Sequence, residues 1–315
     1  GYFLRRLMRQ ITNTILMIRP VAFRMNEQTA VNNYYQQEID NVSDRTIQER
    51  ALEEFDAFVE KLRSHGVHVI VVDDNLEQDT PDSIFPNNWV SFHRNGMVGV
   101  FPMFAPNRRR ERRDDIFDRI EAEGFEIKTL VDYTSAEEAD IFLEATGSIV
   151  LDRENHLAYC ALSARADEGL LIEFCEDFEY TPVIFHAYQS YEGDRRLIYH
   201  TNVMMAITEK NVVICLDSID DPKERKHVVK QIKDSGKGLV EITEEQVENF
   251  AGNMLQVLGG NGKPLTVMSQ SAYECLTADQ RSTLEADAQL LYSDLSTIET
   301  CGGGSARCMM AEVFL

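Results

Sequence analysis

Apolar residues recur along this chain at two spacings. In Thr46–Ser64, Ile47, Ala51, Phe55, Phe58, Val59 and Leu62 share one helical face, and Gly66 stands where a C-terminal cap belongs. Comparable patterns predict helices over Arg108–Glu123, Ala164–Asp177, Pro222–Ser235 and Thr277–Asp287. Their starts are spaced by about 57 residues, near the range of repeat architectures. Between them lie short strand-like runs: "VHVIVV", "WVSFH", "MVGVFPM", "TPVIF", "VMMAI" and "NVVICL". The pairs Asn95-Gly96 and Gly193-Asp194 supply turn signals. Each unit therefore reads as strands plus one helix, repeated along the chain. No Pro/Gly/Ser-rich linker interrupts the pattern, so residues 1–315 are expected to form one α/β domain. Repeats that close around an axis gather distant loops into one place. A C-terminal loop can then meet residues from the first half.

Charge narrows the choice of partners. With 53 acidic against 31 basic residues the net charge is -22, a surface that repels phosphate backbones, so no nucleic-acid partner is expected. The chain is 43% hydrophobic and 27% charged, the mix of a globular domain. No apolar run reaches the length of a membrane span, and "MRQITNTILMIRP" lacks a small-residue cleavage site. The reading is a cytoplasmic protein with no membrane partner, its homo-oligomeric state left open. Residues 1–7, ahead of Met8, read as a tag, a disordered stretch or an extended start. The 6 cysteines include no Cys-x-x-Cys pair and the 7 histidines no His-x-x-x-His spacing, so no metal is expected. There is no Gly-x-Gly-x-x-Gly or Walker loop either, and no cofactor is expected.

Several short stretches carry candidate chemistry, each with a plainer explanation beside it. The chain ends "CGGGSARCMMAEVFL", a glycine run leading to Cys308. Such a cysteine is either a small buried hydrophobe or a nucleophile delivered by a loop. "PDSIFPNNWVSFHRNG" joins Asp82, Asn87 and Asn88 to a strand; it is a turn cap or a polar ligand cluster walled by Trp89. In "FLEATGSIVLD", Glu144 sits among apolar residues and needs a partner if buried. In "LIYHTNVMMAI", His200 and Asn202 stand at one strand mouth. "NRRRERR" places Arg108 and Arg109 at a predicted helix start, against the dipole, which a substrate carboxylate would explain. Arg165 in "LSARAD" is a second arginine of this kind. Cys308, His200 and Glu144 supply a nucleophile, a base and an orienter. Triads are defined in space, however, so the residues alone reach only a cysteine hydrolase.

In that order these motifs resemble the guanidino-group-modifying, or pentein, superfamily. It includes arginine deiminase, dimethylarginine dimethylaminohydrolase, agmatine deiminase and arginine:glycine amidinotransferase. The resemblance implies a five-bladed, pseudo-symmetric α/β propeller over nearly the whole chain. "DSIFPNN" is similar to the family's first acidic loop, with Asp82 on its first acid and Asn87 and Asn88 on the following Glu-Asp pair. "LEATGS" matches the strand whose acid, here Glu144, holds the catalytic histidine, here His200. "PMFAPNRRRE" resembles the loop bearing a carboxylate-binding arginine, with Arg109 the best match and Arg108 close behind; Arg165 matches the second such arginine. Cys308 matches the nucleophile, although Ser305, Ala306 and Arg307 intervene after the glycines.

The departures bear on the substrate. Deiminases hold a guanidinium with two aspartates; the corresponding residues here are Asn88 and Asn202. A carboxamide both donates and accepts, whereas a carboxylate only accepts. The exchange implies a neutral ureido head group and a citrulline substrate, hydrolysed to ornithine, ammonia and carbon dioxide. The resemblance extends to deiminase-related bacterial proteins assigned to citrulline use. The alternatives are a deiminase or dihydrolase acting on arginine, methylarginine or acylarginine, and a noncatalytic amino-acid-binding module. On the main reading Asp82 holds an amino group, and His200 or Arg307 poises the Cys308 thiolate.

Overall fold

A computed structural model describes residues 8–315; the expectation for residues 1–7 lies outside them. Five three-stranded sheets share one topology. In each, a central strand pairs antiparallel on one side and parallel on the other. Thr14–Arg19 lies between Ala311–Glu312 and His68–Asp73. Met97–Val100 lies between Val90–His93 and Thr129–Asp132. Leu157–Ala161 lies between Ile149–Asp152 and Thr181–Phe185. Asn211–Ile214 lies between Met205–Ile207 and Gly238–Glu241. Pro264–Ser269 lies between Leu255–Leu258 and Gln289–Ser293. The antiparallel neighbour is largely buried in every sheet, and the parallel neighbour is partly exposed. A helix always links the central strand to its parallel partner, as a parallel crossover requires.

These crossover helices are the five read from periodicity, with altered boundaries. The first spans Asp44–Ser64, is capped by Ser43, and buries the six residues named above. The second is broken into Pro106–Arg109 and Asp114–Ala122, because Arg113 is extended. The basic run therefore does not open the long helix; Asp114 and Asp115 do, which suits the dipole. The third begins at Glu168, after the cap Asp167, and leaves Arg165 in the preceding turn. The others span Pro222–Asp234 and Ala278–Glu285. A separate hairpin, Tyr188–Tyr191 with Asp194–Leu197, turns at Glu192 and Gly193, both at positive φ, one residue earlier than the sequence signal.

Two features of this order position the site. The last strand, Ala311–Glu312, pairs with the first, Thr14–Arg19, so the C-terminus completes the first sheet. Each largely buried strand is also entered through a short turn. These turns are Pro86–Asn88, Ala145–Ser148, Thr201–Val203, the segment through Asn253, and Ala306–Met309. The turn at 86–88 touches those at 145–148 and 306–309, and 145–148 touches 201–203. Among the described residues no helix is long and apolar enough to cross a membrane.

Candidate active site

The chemistry-bearing residues sit on or beside these turns. Cys308, His200, Asn88, Asp82, Arg108 and Arg165 line one narrow cleft, with Thr29 and Asn33 of an overlying segment. Glu144 lies directly behind His200, fully buried, its Oε1 2.7 Å from Nε2 of the imidazole. Its Oε2 accepts the N–H of Phe104. Burial alone would raise the Glu144 carboxyl, but the Arg165 charge, 3.5 Å away, and the His200 hydrogen bond hold it well below the usual carboxylate range. Burial likewise lowers the His200 pKa and outweighs Glu144. The resting pair is an ionised carboxylate and a neutral imidazole. The carboxylate can only accept, so the proton sits on Nε2, leaving Nδ1 unprotonated.

Local backbone sets this geometry. Ala145, next to Glu144, has φ 41, a left-handed conformation costly for a residue with a Cβ. Gly147 packs so closely that an added methyl would overlap Asn88 Nδ2 and lie 3.0 Å from the His200 ring. The Asn88 amide is held by Arg108 and Asn87 and cannot yield cheaply. Gly147→Ala should therefore displace His200 and lower kcat on the order of 10²-fold. It should also cost about 1–3 kcal/mol of stability as overpacking. Paired turnover and melting measurements test this; unchanged turnover would show that the glycine only serves the fold.

The glycine run before Cys308 is not a flexible tether. Gly302, Gly303 and Gly304 are all buried. Gly303 adopts φ 67 and caps the helix Ser296–Gly302, and methyl groups at Gly302 and Gly304 would press on Phe85. The thiol of Cys308 receives Nδ2 of Asn202 at 3.5 Å and Nδ2 of Asn253 at 3.3 Å. Asn253 escaped the sequence reading. The signal was available: in "AGNMLQV" a lone polar residue precedes a buried strand, as Asn88 and Asn202 do in their units.

The arginines divide differently from the motif match. Arg108, not Arg109, enters the cleft. Its guanidinium is buried against Glu111 and donates to Asn88 Oδ1 and Phe85 O. Burial works against the Arg108 charge, but Glu111 and Asp82 outweigh it and raise its pKa. Arg109 turns away to the carbonyls of Met103 and Phe104 and to Glu137. Arg165 lines the cleft and donates to Asn32 Oδ1 and Thr29 O of the overlying segment. A substrate carboxylate would compete with Asn32 for that guanidinium. Asp82 is buried, and burial, outweighing Arg108, raises its pKa. Its Oδ2 accepts from Asn26, while Oδ1 has no hydrogen-bond partner among the described residues. An ammonium or guanidinium would satisfy it.

Other candidates lie apart. Asn87 is buried and accepts from Asn88, one layer behind the cleft. Trp89 packs with Phe117 in the core and walls nothing. Arg307 points to Glu312 and the carbonyl of Met310, so its charge is neutralised away from the cleft and it cannot poise the thiol as expected. Among the described residues no three His, Cys, Asp or Glu side chains form a metal-binding group.

A family model described as N,N dimethylarginine dimethylhydrolase, eukaryotic, matches residues 19–315. The chain belongs to this family. No curated protein sequence matches it. In fold this dimethylhydrolase-family chain is similar to ArgZ, an arginine dihydrolase from the ornithine-ammonia cycle in cyanobacteria. That similarity has 18% identity and a TM-score of 0.72, over 96% of this chain and 40% of that one. The chain thus spans less than half of the full-length dihydrolase. It covers 98% of the isolated N-terminal domain, solved as a cysteine-to-serine variant with substrate, at 18% identity, TM-score 0.71 and 96% of this chain. A dimethylarginine dimethylaminohydrolase adduct with S-methyl-L-thiocitrulline is similar at 14% identity and TM-score 0.62, over 96% of this chain and 100% of that one. The family model and these neighbours all carry the names of hydrolases of arginine or dimethylarginine.

Proposed function

We propose that this chain is a dihydrolase of an arginine-type amino acid, removing both terminal nitrogens of the guanidino group and leaving ornithine. One observation carries the reading: the Cys308 thiol is hydrogen-bonded by the carboxamides of Asn202 and Asn253, not by carboxylates. A deiminase stops once one nitrogen is replaced by oxygen. A dihydrolase must also process that ureido-level stage, where a neutral C=O needs donors and a carboxylate offers none. The family and the dihydrolase neighbours support the guanidino substrate class.

On this reading Nδ1 of His200 takes the Cys308 proton as the sulfur adds to the guanidinium carbon, and ammonia leaves with that proton. The neutral imidazole then takes a proton from water, which adds to the thiouronium carbon, and a second ammonia leaves. A second water cleaves the resulting thiocarbamate, restoring the thiolate. The carbamate loses carbon dioxide to give ornithine. One arginine and two waters yield one ornithine, two ammonia and one carbon dioxide. Glu144 keeps Nδ1 of His200 as the base and stabilises the imidazolium. Arg108 and Arg165 supply positive charge for the substrate carboxylate, and Asp82 supplies its unpaired oxygen to the α-ammonium. The same inference treats the five sheets as blades of a propeller. The buried strands of successive units touch, 311–312 with 90–93, 149–152 with 205–207, and 205–207 with 255–258. Six free cysteines suit a reducing, cytoplasmic compartment.

A second reading takes citrulline itself as the substrate, favoured by the uncharged contacts around the thiol. Ammonia and ornithine should be measured from arginine, dimethylarginine and citrulline in parallel. We expect two ammonia per ornithine from arginine. Ammonia from citrulline alone would transfer the assignment to the second reading. Accumulating citrulline from arginine would make the protein a deiminase.

A further inference from the structure

We propose that Asn253 holds Cys308 as a thiolate by fixing one N–H on its sulfur. The two carboxamides at the thiol differ in what they can do. Asn202 presents Nδ2 at 3.5 Å and Oδ1 at 3.9 Å, so it can donate to a thiolate or accept from a thiol. It carries little bias between the two.

Asn253 has no such freedom. Its Oδ1 accepts the backbone N–H of Arg307 at 3.1 Å. Its Nδ2 donates to the carbonyl of Asn202 at 3.0 Å and to Sγ of Cys308 at 3.3 Å. Rotating the amide would set carbonyl against carbonyl and NH2 against N–H. The side chain is 1% exposed. Its backbone is pinned as well: Phe250 sits at φ 63, and a methyl on Gly252 would overlap the carbonyl of Val203. A donor that cannot turn favours the state that accepts more strongly, which is the thiolate.

The charges facing the sulfur leave room for such a dipole. Asp82, Arg108, Arg165, Tyr199 and His200 line the cleft with Cys308. Arg108 is paired with Glu111 and lies 4.0 Å from Asp82, and Arg165 is paired with Glu144. Arg307, adjacent in sequence, is spent on Glu312. Asn253 also bridges the turns carrying Asn202 and Cys308, so it sets their distance.

The inference rests on Cys308 as the nucleophile and is indifferent to the substrate. Its test therefore needs none: iodoacetamide alkylation of the Cys308 peptide, followed by mass spectrometry against pH, reads the thiol titration directly. In Asn253→Ala the alkylation midpoint should rise by about one pH unit or more. Turnover at neutral pH should fall about tenfold and recover toward alkaline pH. Asn202→Ala should shift the midpoint less. An unmoved midpoint in folded Asn253→Ala, or a larger shift in Asn202→Ala, overturns the proposal. If the alanine variant does not fold, Asn253→Ser is held to the same criterion. Failure of the substrate assignment would leave this titration unchanged.

Discussion

Cys308→Ala should bind an arginine-type ligand yet release no ammonia, while Cys301→Ala should retain turnover. The two cysteines are only seven positions apart but occupy different surroundings. Cys308 lines the cleft beside His200 and meets two amide donors. Cys301 is fully buried within an apolar cluster, and burial raises its thiol pKa, which disfavours a thiolate. Removing a covalent nucleophile costs on the order of 10⁶ in kcat, below the detection limit of an ammonia assay. Removing a buried sulfur costs stability and little else. Calorimetric titration of Cys308→Ala separates lost chemistry from lost binding. Persistent turnover in that variant, or its loss in Cys301→Ala, would overturn the assignment.

That contrast also shows where the sequence was informative. The helical faces could be read because burial imposes a period: the residues read as apolar along Thr46–Ser64 are those that are buried. The repeat was visible because every unit spends one such helix on a parallel crossover. Its ends were less legible. Arg108 looked like part of the long helix but lies in the separate short one, Pro106–Arg109, and is drawn inward to Glu111, and the long helix starts only at Asp114. Which of two adjacent arginines enters the cleft depends on that local break, which no period announces. Asn253 was missed because its role depends on partners 51 and 55 positions away, Asn202 and Cys308. The glycine run reads as a loop that delivers the cysteine, whereas its glycines answer to Phe85 and Asn33, residues far away in sequence. Composition cannot distinguish a glycine needed for motion from one needed for close approach.

Glu144→Gln should lower kcat on the order of 10³-fold or more while changing substrate affinity little, the expected result of removing an orienting carboxylate. Glutamine nearly preserves the shape, and its carbonyl can still accept from Phe104 N. What changes is the hydrogen bond to His200, 2.7 Å long. A carboxylate can only accept, so it fixes the proton on Nε2 and leaves Nδ1 free to take another. An amide NH2 directed at Nε2 donates instead, moving the imidazole proton to Nδ1 and disabling the base. The imidazolium formed as water is activated also loses its counter-charge, with Arg165 3.5 Å from the same carboxylate oxygen. Burial already lowers the His200 pKa, and Glu144 is the group opposing that shift. Its loss should lower the His200 pKa further and make the imidazolium costlier to form. The pH profile of kcat/KM should show this as an acid limb displaced to lower pH. A mainly structural glutamate would behave differently, with a lower melting temperature, normal turnover in the folded fraction and an unshifted acid limb.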